Sequence, residues 1–375
     1  MVKKRRLRQC VTLTVLFLTV TAWAGEWKGA RPDYKWSFPE DHWARAGYKT
    51  EWWYFTGHLE SESGRKFGYQ FTIFRVGLLP ERLELLSDWT TENLFMGHAA
   101  IGDFDSGRHH FSEVVYRAVP LLAGFGTYPD STIAWSRGPA GTAGSWKLTW
   151  NGNGFDFEMR DRKTGIALTL STEQDKPIAF QGPNGYSRKG ESPTVASQYY
   201  SLTRLKTQGT ISIGGDTVPV RGQSWMDKEF GSNQLETHQV GWDWFSLQLS
   251  DGRDVMLYSL RDKSGKVDFS RGTLIGKKGE IEYVPGDKIS VEATERWRSS
   301  ETGAAYPSRW RIVIEGAGLE LNVEPEIADQ ENRSRLVSGL FYWEGAVRVM
   351  DRNGVRIGRG YTELVGYGES ILPAI

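Results

Sequence analysis

The chain has 375 residues, with 46 basic and 46 acidic side chains, 43 glycines, 16 tryptophans and one cysteine. That length suggests two domains. The balanced charge offers no basic patch for nucleic acid, and a lone Cys10 excludes an internal disulfide or a thiolate metal site. Glycine at roughly 11%, against a usual 7% or so, punctuates short aromatic and β-branched runs, the composition of an all-β chain.

The first segment reads as a leader. Lys3, Lys4, Arg5, Arg6 and Arg8 form a basic region, Val11 to Val20 is almost wholly apolar, and Ala22-Trp23-Ala24 places small residues before Gly25. This order is that of a secretory signal peptide cleaved after Ala24, which predicts a periplasmic or secreted protein. A retained anchor is the alternative. It is disfavoured because the apolar run falls short of the roughly 18 residues of a spanning helix, so no permanent membrane span is expected after cleavage. Cys10 precedes the apolar run, which does not fit a lipoprotein signal. Residues 25–375 carry 41 basic and 46 acidic residues, a net charge near −5.

Strands follow in regular order. Trp52 to Leu59 alternates, Glu60 to Arg65 makes a polar turn, and Phe67 to Val76 alternates again, which is a hairpin. Further strands are predicted at Phe95 to Ile101, Phe111 to Ala118, Ser145 to Trp150, Phe155 to Arg160 and Ile166 to Ser171. Asp105-Ser106-Gly107, Asn151 to Gly154 and Lys163-Thr164-Gly165 supply turns between them. Gln181 to Ser197, rich in Gly, Pro and Ser, is expected to be a long loop, and Gly209 to Gly215 a β-turn stretch without the GK[ST] of a phosphate loop.

The second half repeats the first. Trp242 to Leu249 lies over Trp52 to Leu59 at an offset of 190 residues, Gly252-Arg253 lies over Gly64-Arg65, and Val255 to Arg261 follows as a strand. A repeat of this length means two related domains. The expected division is a signal peptide at 1–24, one domain at 25–233 and another at 234–375. So many antiparallel strands form a barrel or a sandwich, and closure of exposed edges favours barrels.

Alternation places Trp52, Tyr54, Thr56 and His58 on one strand face, with Trp242, Trp244, Ser246 and Gln248 as the matching set. Trp53, Phe55 and Leu59 take the other face. The first face is aromatic at one end and polar at the other, as a barrel lumen receiving an amphipathic ligand would be. Plain packing of the tryptophans is the competing reading. In Trp225-Met226-Asp227-Lys228-Glu229-Phe230-Gly231, an extended chain turns Trp225, Asp227 and Glu229 one way. Two carboxyls beside a large aromatic can have their pKa values pushed apart, leaving one as a general acid. Such an acid protonates an alkene, and aromatic faces such as Trp242, Trp244 and Tyr258 stabilise the cation. A solvated surface strand is the alternative. His58 and His98 fall in strands, and His109-His110 follows a turn. No HxH or HExxH spacing exists, so no metal or other cofactor is expected. No GxSxG elbow supports a serine hydrolase. Tyr199, Tyr200, Arg261, Tyr342, Glu344 and Glu363 also lie in strand-like stretches and are further candidates for a cavity wall.

Several segments together resemble one family. Trp52-Trp53-Tyr54-Phe55-Thr56-Gly57, Asn184-Gly185-Tyr186-Ser187, Trp225 to Gly231, Gly241 to Phe245, Tyr342-Trp343-Glu344-Gly345 and Gly358-Arg359-Gly360-Tyr361 are similar to the secreted AttH-like proteins. These are related to the carotenoid 1,2-hydratases (hydroxyneurosporene synthase, CrtC-like). The resemblance implies two tandem lipocalin-like (calycin) antiparallel β-barrels, a cavity for an apolar ligand in or between them, and an association with ABC-type export components. Fungal relatives of this fold guide cyclisation of polyenes. Where the carotenoid hydratases carry histidines, this chain has Asp227, Lys228 and Glu229, a departure that bears on carotenoid hydration itself.

Two functions are therefore expected. One is a periplasmic carrier of a lipid, isoprenoid or polyene-like molecule, held by Trp52, Tyr54, His58, Trp225, Trp242, Trp244, Gln248 and Tyr258. The other is a cofactor-free hydratase, isomerase or cyclase with Asp227 or Glu229 as acid.

Overall fold

A computed structural model describes residues 26–81 and 87–371. The expected leader, its cleavage site and Cys10 lie outside the described residues. Helical structure among those residues is limited to three single 3₁₀ turns, Glu40–His42, Pro183–Gly185 and Gly286–Lys288. The rest is antiparallel strand, turn and loop, in two sheets that form a nearly closed barrel and a half-barrel, a two-domain lipocalin-like fold.

The first sheet has thirteen strands, from Thr50–Ser61 to Asp216–Asn233. The second has ten, from Gln239–Leu249 to Arg356–Val365. Most expected strands form with a residue or two added at the ends: Trp52 to Leu59 becomes Thr50–Ser61, and Ser145–Trp150 keeps both ends. Two expectations are corrected. The segment expected as a loop contains the short strand Tyr186–Arg188 and the start of Ala196–Ile213, because both pair within the sheet, Ser187 against Ser197. Gly209 to Ile213 is strand as well, and only Gly214 and Gly215, both at positive φ, make the turn. A Cβ at Gly209 would stand 2.0 Å from the Thr169 carbonyl oxygen, so the glycine there permits a close strand approach, not a turn.

The repeat is also a repeat of topology. Thr50–Ser61 lies between its hairpin partner Lys66–Gly77 and the closing strand Asp216–Asn233. Gln239–Leu249 lies between Asp254–Asp262 and the closing strand Arg356–Val365. Registers agree: Tyr54 is opposite Asp227 as Trp244 is opposite Glu363, and Thr56 is opposite Trp225 as Ser246 is opposite Tyr361.

The aromatic alternation fills three layers. Trp53, Phe55, Tyr69, Phe71, Trp146, Phe157 and Met226 come from strands all around the first sheet and meet inside it. Phe245, Leu257, Trp310, Ile312, Trp343 and Leu364 do the same in the second. The third layer, with Tyr54, Tyr199, Trp225, Trp244, Tyr258 and Tyr361, lies between the sheets. This corrects the expected placement of the Trp52–Tyr54–Thr56–His58 face. It points out of its barrel at the other barrel, while Trp53, Phe55 and Leu59 occupy the interior. The lumens are packed with side chains, as small barrels are.

Polar groups tie the barrels together. Gln248 donates to the carbonyls of Thr203 and Ser224 at 2.7 and 3.1 Å, and His58 Nε2 stands 2.8 Å from the Gly360 carbonyl oxygen. Asp254, fully buried, accepts from Lys176 at 2.7 Å and from Arg204 and Thr203 at 2.8 Å. Removing the charge of one member of a buried cluster leaves the others uncompensated, at about 3–5 kcal/mol. Asp254→Asn should therefore lower unfolding free energy by about that amount, read as a lowered urea midpoint with an unchanged slope.

Candidate functional site

Closing strand Asp216–Asn233 is extended, so Asp227 and Glu229 project from one face and Lys228 from the other. All three are buried, which rules out the solvated surface strand. Lys228 turns into the first barrel, pairs with Glu51 and lies 3.8 Å from the Trp53 ring centre. Burial pushes its pKa down to about 7, against the pull of Glu51. Asp227 and Glu229 turn to the space between the barrels.

That space is a chamber of about 100 Å³. The first barrel contributes Trp52, Tyr54, Gln70, Phe74, Met96, His98, Tyr199, Asp227 and Glu229. The second contributes Trp242, Trp244, Tyr258, Leu260, Tyr342 and Glu363. Trp52 and Trp242, equivalent in the repeat, are both half-buried. The volume is below the roughly 300–1,000 Å³ of drug-sized ligand pockets and near that of an engineered cavity of about 150 Å³ that takes benzene. It suits a ring or a short branched alkenyl group, with the remainder of a larger molecule outside.

Asp227 is the most elaborately held group. Ser201 donates to Oδ1 at 2.5 Å, the Trp225 indole to the same oxygen at 2.7 Å, and Tyr199 to Oδ2 at 2.7 Å. Trp244 in turn donates to the Tyr199 oxygen at 3.1 Å. Burial raises the Asp227 pKa to about 7, and those three donors hold it from going higher. Glu363, its counterpart in the repeat, is also raised to about 7, by burial first and then by the charges of Asp227 and Glu229, against the Trp242 indole. Glu229 has a fixed partner in Lys189 at 2.8 Å and accepts from Ser197. The Lys189 ammonium lies 4.3 Å from the Tyr258 ring centre.

The structure thus gathers Trp52, Tyr54, Trp242, Trp244, Tyr258, Asp227 and Glu229 around one chamber. Trp225 stands behind it as the donor to Asp227. His58 and Gln248 are not brought to it: they border a separate groove with Arg204, Arg221 and Arg359, because they sit four residues farther along their strands than Tyr54 and Trp244, beyond the end of the chamber. Of the further candidates, Tyr199, Tyr342 and Glu363 line the chamber. Tyr200 packs in the first barrel, Arg261 pairs with Asp243 at 3.0 Å, and Glu344 is buried on the strand beside Glu363. Glu344 has its pKa well above the carboxylate range, from burial and then from Glu363. Gln70, Phe74, Met96 and Lys189 were not singled out from the sequence. Only the register match of Glu363 to Asp227 offered a signal, and it needed the strand pairing. No group of three metal-ligating side chains is found among the described residues.

A family model described as AttH-like matches residues 29–367. The crystal structure of an AttH protein from Nitrosomonas europaea superposes with a TM-score of 0.80 at 31% identity, covering 91% of this chain and 99% of that one. Kievitone hydratase from Nectria haematococca gives 0.65 at 12% identity, over 92% and 96%. CghA gives 0.52 at 12% identity, over 86% and 89%. The last two show a shared fold. No curated protein matches the sequence significantly.

The raised carboxyls fix a pH dependence. Between the ordinary carboxylate pKa near 4 and about 7, the folded state binds more protons than the unfolded one at Asp227 and Glu363, so their contribution to stability falls as pH rises through that window. Asp227→Asn should gain stability relative to the parent chain between pH 5 and pH 8, on the order of 2–3 kcal/mol, measured as the difference in urea midpoints at the two pH values.

Proposed function

The chain belongs to the AttH-like family, and from that membership and the chamber we propose a cofactor-free acid–base enzyme of the hydratase or isomerase kind, acting on an alkenyl group of an otherwise apolar molecule. The observation that carries this reading is the pair Asp227 and Glu363, both titrating near 7 in an aromatic chamber. A container for an apolar ligand has no need of buried ionisable groups, whose desolvation costs stability. An acid and a base working at neutral pH need that tuning. Kievitone hydratase and CghA share the fold, and the first name is consistent with water addition.

In this mechanism the protonated Asp227 gives its proton to one alkene carbon. Positive charge develops on the other carbon and faces the π-surfaces of Trp52, Trp242 and Trp244. A water molecule adds its oxygen there and yields a proton to the Glu363 carboxylate, so the sum is one water across one double bond. Proton exchange between the carboxyls and solvent restores the starting state. Loss of a proton from the neighbouring carbon, in place of water addition, gives the isomer. Tyr199, Ser201 and Trp225 position Asp227. Glu229, held by Lys189, acts on the charge of the site and not as the acid.

The carrier reading keeps one observation in its favour, the aromatic lining itself, which suits a lipid or isoprenoid in transit. We extend the proposal to a site of action in the periplasm, on the strength of the leader, with ABC-type export components as candidate partners through the family resemblance.

The test uses protein expressed with its leader and purified from a bacterial envelope. Apolar extracts of that envelope are incubated with it in ¹⁸O-water and followed by mass spectrometry. Products carrying one labelled water are expected, with Asp227→Asn and Glu363→Gln each slower by about 10²- to 10⁴-fold while ligand still co-purifies. A co-purifying apolar molecule that the parent protein never changes would sink the enzymatic reading and leave the carrier. Trp242→Ala with Trp244→Ala should lose the ligand in either case.

A further inference from the structure

His98, on the strand Asn93–Asp103, stands in the chamber wall with 2% of its surface exposed. Its ring is held by Phe74, Phe111 and Tyr342, at 5.4, 5.3 and 5.8 Å between centroids. The two ring nitrogens differ. Nδ1 meets the Tyr342 hydroxyl at 2.7 Å. Nε2 is buried and has no hydrogen-bond partner among the described residues. The Tyr54 hydroxyl, also on the chamber wall, is turned to the buried Glu344 carboxyl. Buried polar atoms left unsatisfied are uncommon and call for an explanation.

What Nε2 offers is set by a relay that crosses between the barrels. His109 Nε2–H donates to Asn332 Oδ1 at 2.8 Å, Asn332 Nδ2 to Gln70 Oε1 at 3.0 Å, and Gln70 Nε2 to the Tyr342 hydroxyl oxygen at 3.5 Å. Amide nitrogens only donate and amide oxygens only accept, so the direction holds along the chain. Tyr342, accepting from Gln70, has its own proton to give to His98 Nδ1. Burial drives the His98 pKa down to about 3, so the ring is neutral. A neutral ring that accepts at Nδ1 carries its hydrogen on Nε2. The chamber therefore presents a fixed N–H donor from His98. A hydrocarbon would leave it unsatisfied, whereas a carbonyl oxygen has a lone pair to accept it.

We propose that His98 Nε2–H forms a subsite for a carbonyl oxygen, so that the ligand of this chamber is an apolar molecule bearing a ketone or similar carbonyl, not a bare hydrocarbon. This deepens the functional reading above and rests on it for the chamber being a ligand site. His98 is a binding residue here, and Tyr342 a positioning residue that fixes its tautomer.

The test compares cyclohex-2-enone with cyclohexene, two probes of the chamber's size, by quenching of tryptophan fluorescence in the full-length protein. Imidazole ¹⁵N spectra report the tautomer. The parent protein should show the His98 hydrogen on Nε2 and bind the enone about five- to tenfold more tightly, the scale of one hydrogen bond. His98→Gln, which keeps an N–H at that reach, should retain most of that preference. His98→Phe, which keeps the ring packing, should bring the two probes within about twofold, and Tyr342→Phe should mix the tautomers and weaken only the enone. Equal binding of both probes by the parent protein, an unchanged preference in His98→Phe, or a hydrogen on Nδ1 would each overturn the subsite while leaving the chamber. Binding of neither probe would overturn the subsite together with the ligand-site reading beneath it.

Discussion

Strands Thr50–Ser61 and Gln239–Leu249 are buried on both faces, and the site follows from that constraint. A barrel strand ordinarily turns one face to the packed interior and the other to solvent. Here each barrel lays the outer face of its central strands against the other's, so the third aromatic layer is sealed by both. Gly68 marks how close the approach is: a Cβ there would stand 2.7 Å from that of Ala346 in the other barrel. The polar ties at Asp254, Gln248 and His58 hold the two walls in register, and the chamber is what the walls leave unfilled.

Desolvation sets the proton affinities in the chamber. Asp227, Glu363 and Glu344 are carboxyls that in water would be ionised at neutral pH. Enclosed between aromatic walls, all three are shifted toward the protonated form, with burial as the leading cause. Donors then separate their behaviour. Asp227 has three close ones and is kept near 7, whereas the shift at Glu344 is opposed only by Tyr54 and Gln70 while Glu363 adds to the effect of burial, and its pKa rises further. Lys189 and Glu229 neutralise each other at the edge of the same wall. Proton affinity is thus graded along a few residues of strand.

Duplication explains the economy of the arrangement. Trp52 and Trp242, Tyr54 and Trp244, Asp227 and Glu363, Trp225 and Tyr361 occupy matched register positions in the two sheets. Placing two related walls face to face brings two carboxyls and two sets of aromatics into one enclosure. The matched pairs are not identical. Ser201 opposite Asp227 has Glu344 opposite Glu363 as its counterpart, so the second barrel supplies an extra carboxyl where the first supplies a hydroxyl donor. The matched positions therefore differ in proton affinity although the walls that carry them are related.

The sequence by itself determined the local structure. Alternation with period two, glycine turns and the 190-residue repeat located Thr50–Ser61, Lys66–Gly77, Ser145–Trp150 and their successors within a residue or two, because side-chain alternation and turn chemistry are local properties. It also put Asp227 and Glu229 on one face and Trp242 with Trp244 on another. Short segments without a hydrophobic pattern, such as Tyr186–Arg188, were not legible, since their pairing with Ala196–Ile213 depends on a partner, not on their own residues. Which strand face looks inward was not legible either, because both faces are aromatic and alternation has no sign. Only tertiary structure decided that the Trp52–Tyr54 face meets the other barrel, that Glu363 stands with Asp227, that His98 is tied through Tyr342 to the second domain, and that His58 and Gln248 fall outside the chamber. Those facts rest on contacts between residues from tens to hundreds of positions apart, and such contacts are fixed by how two folded walls pack, not by any pattern along the chain.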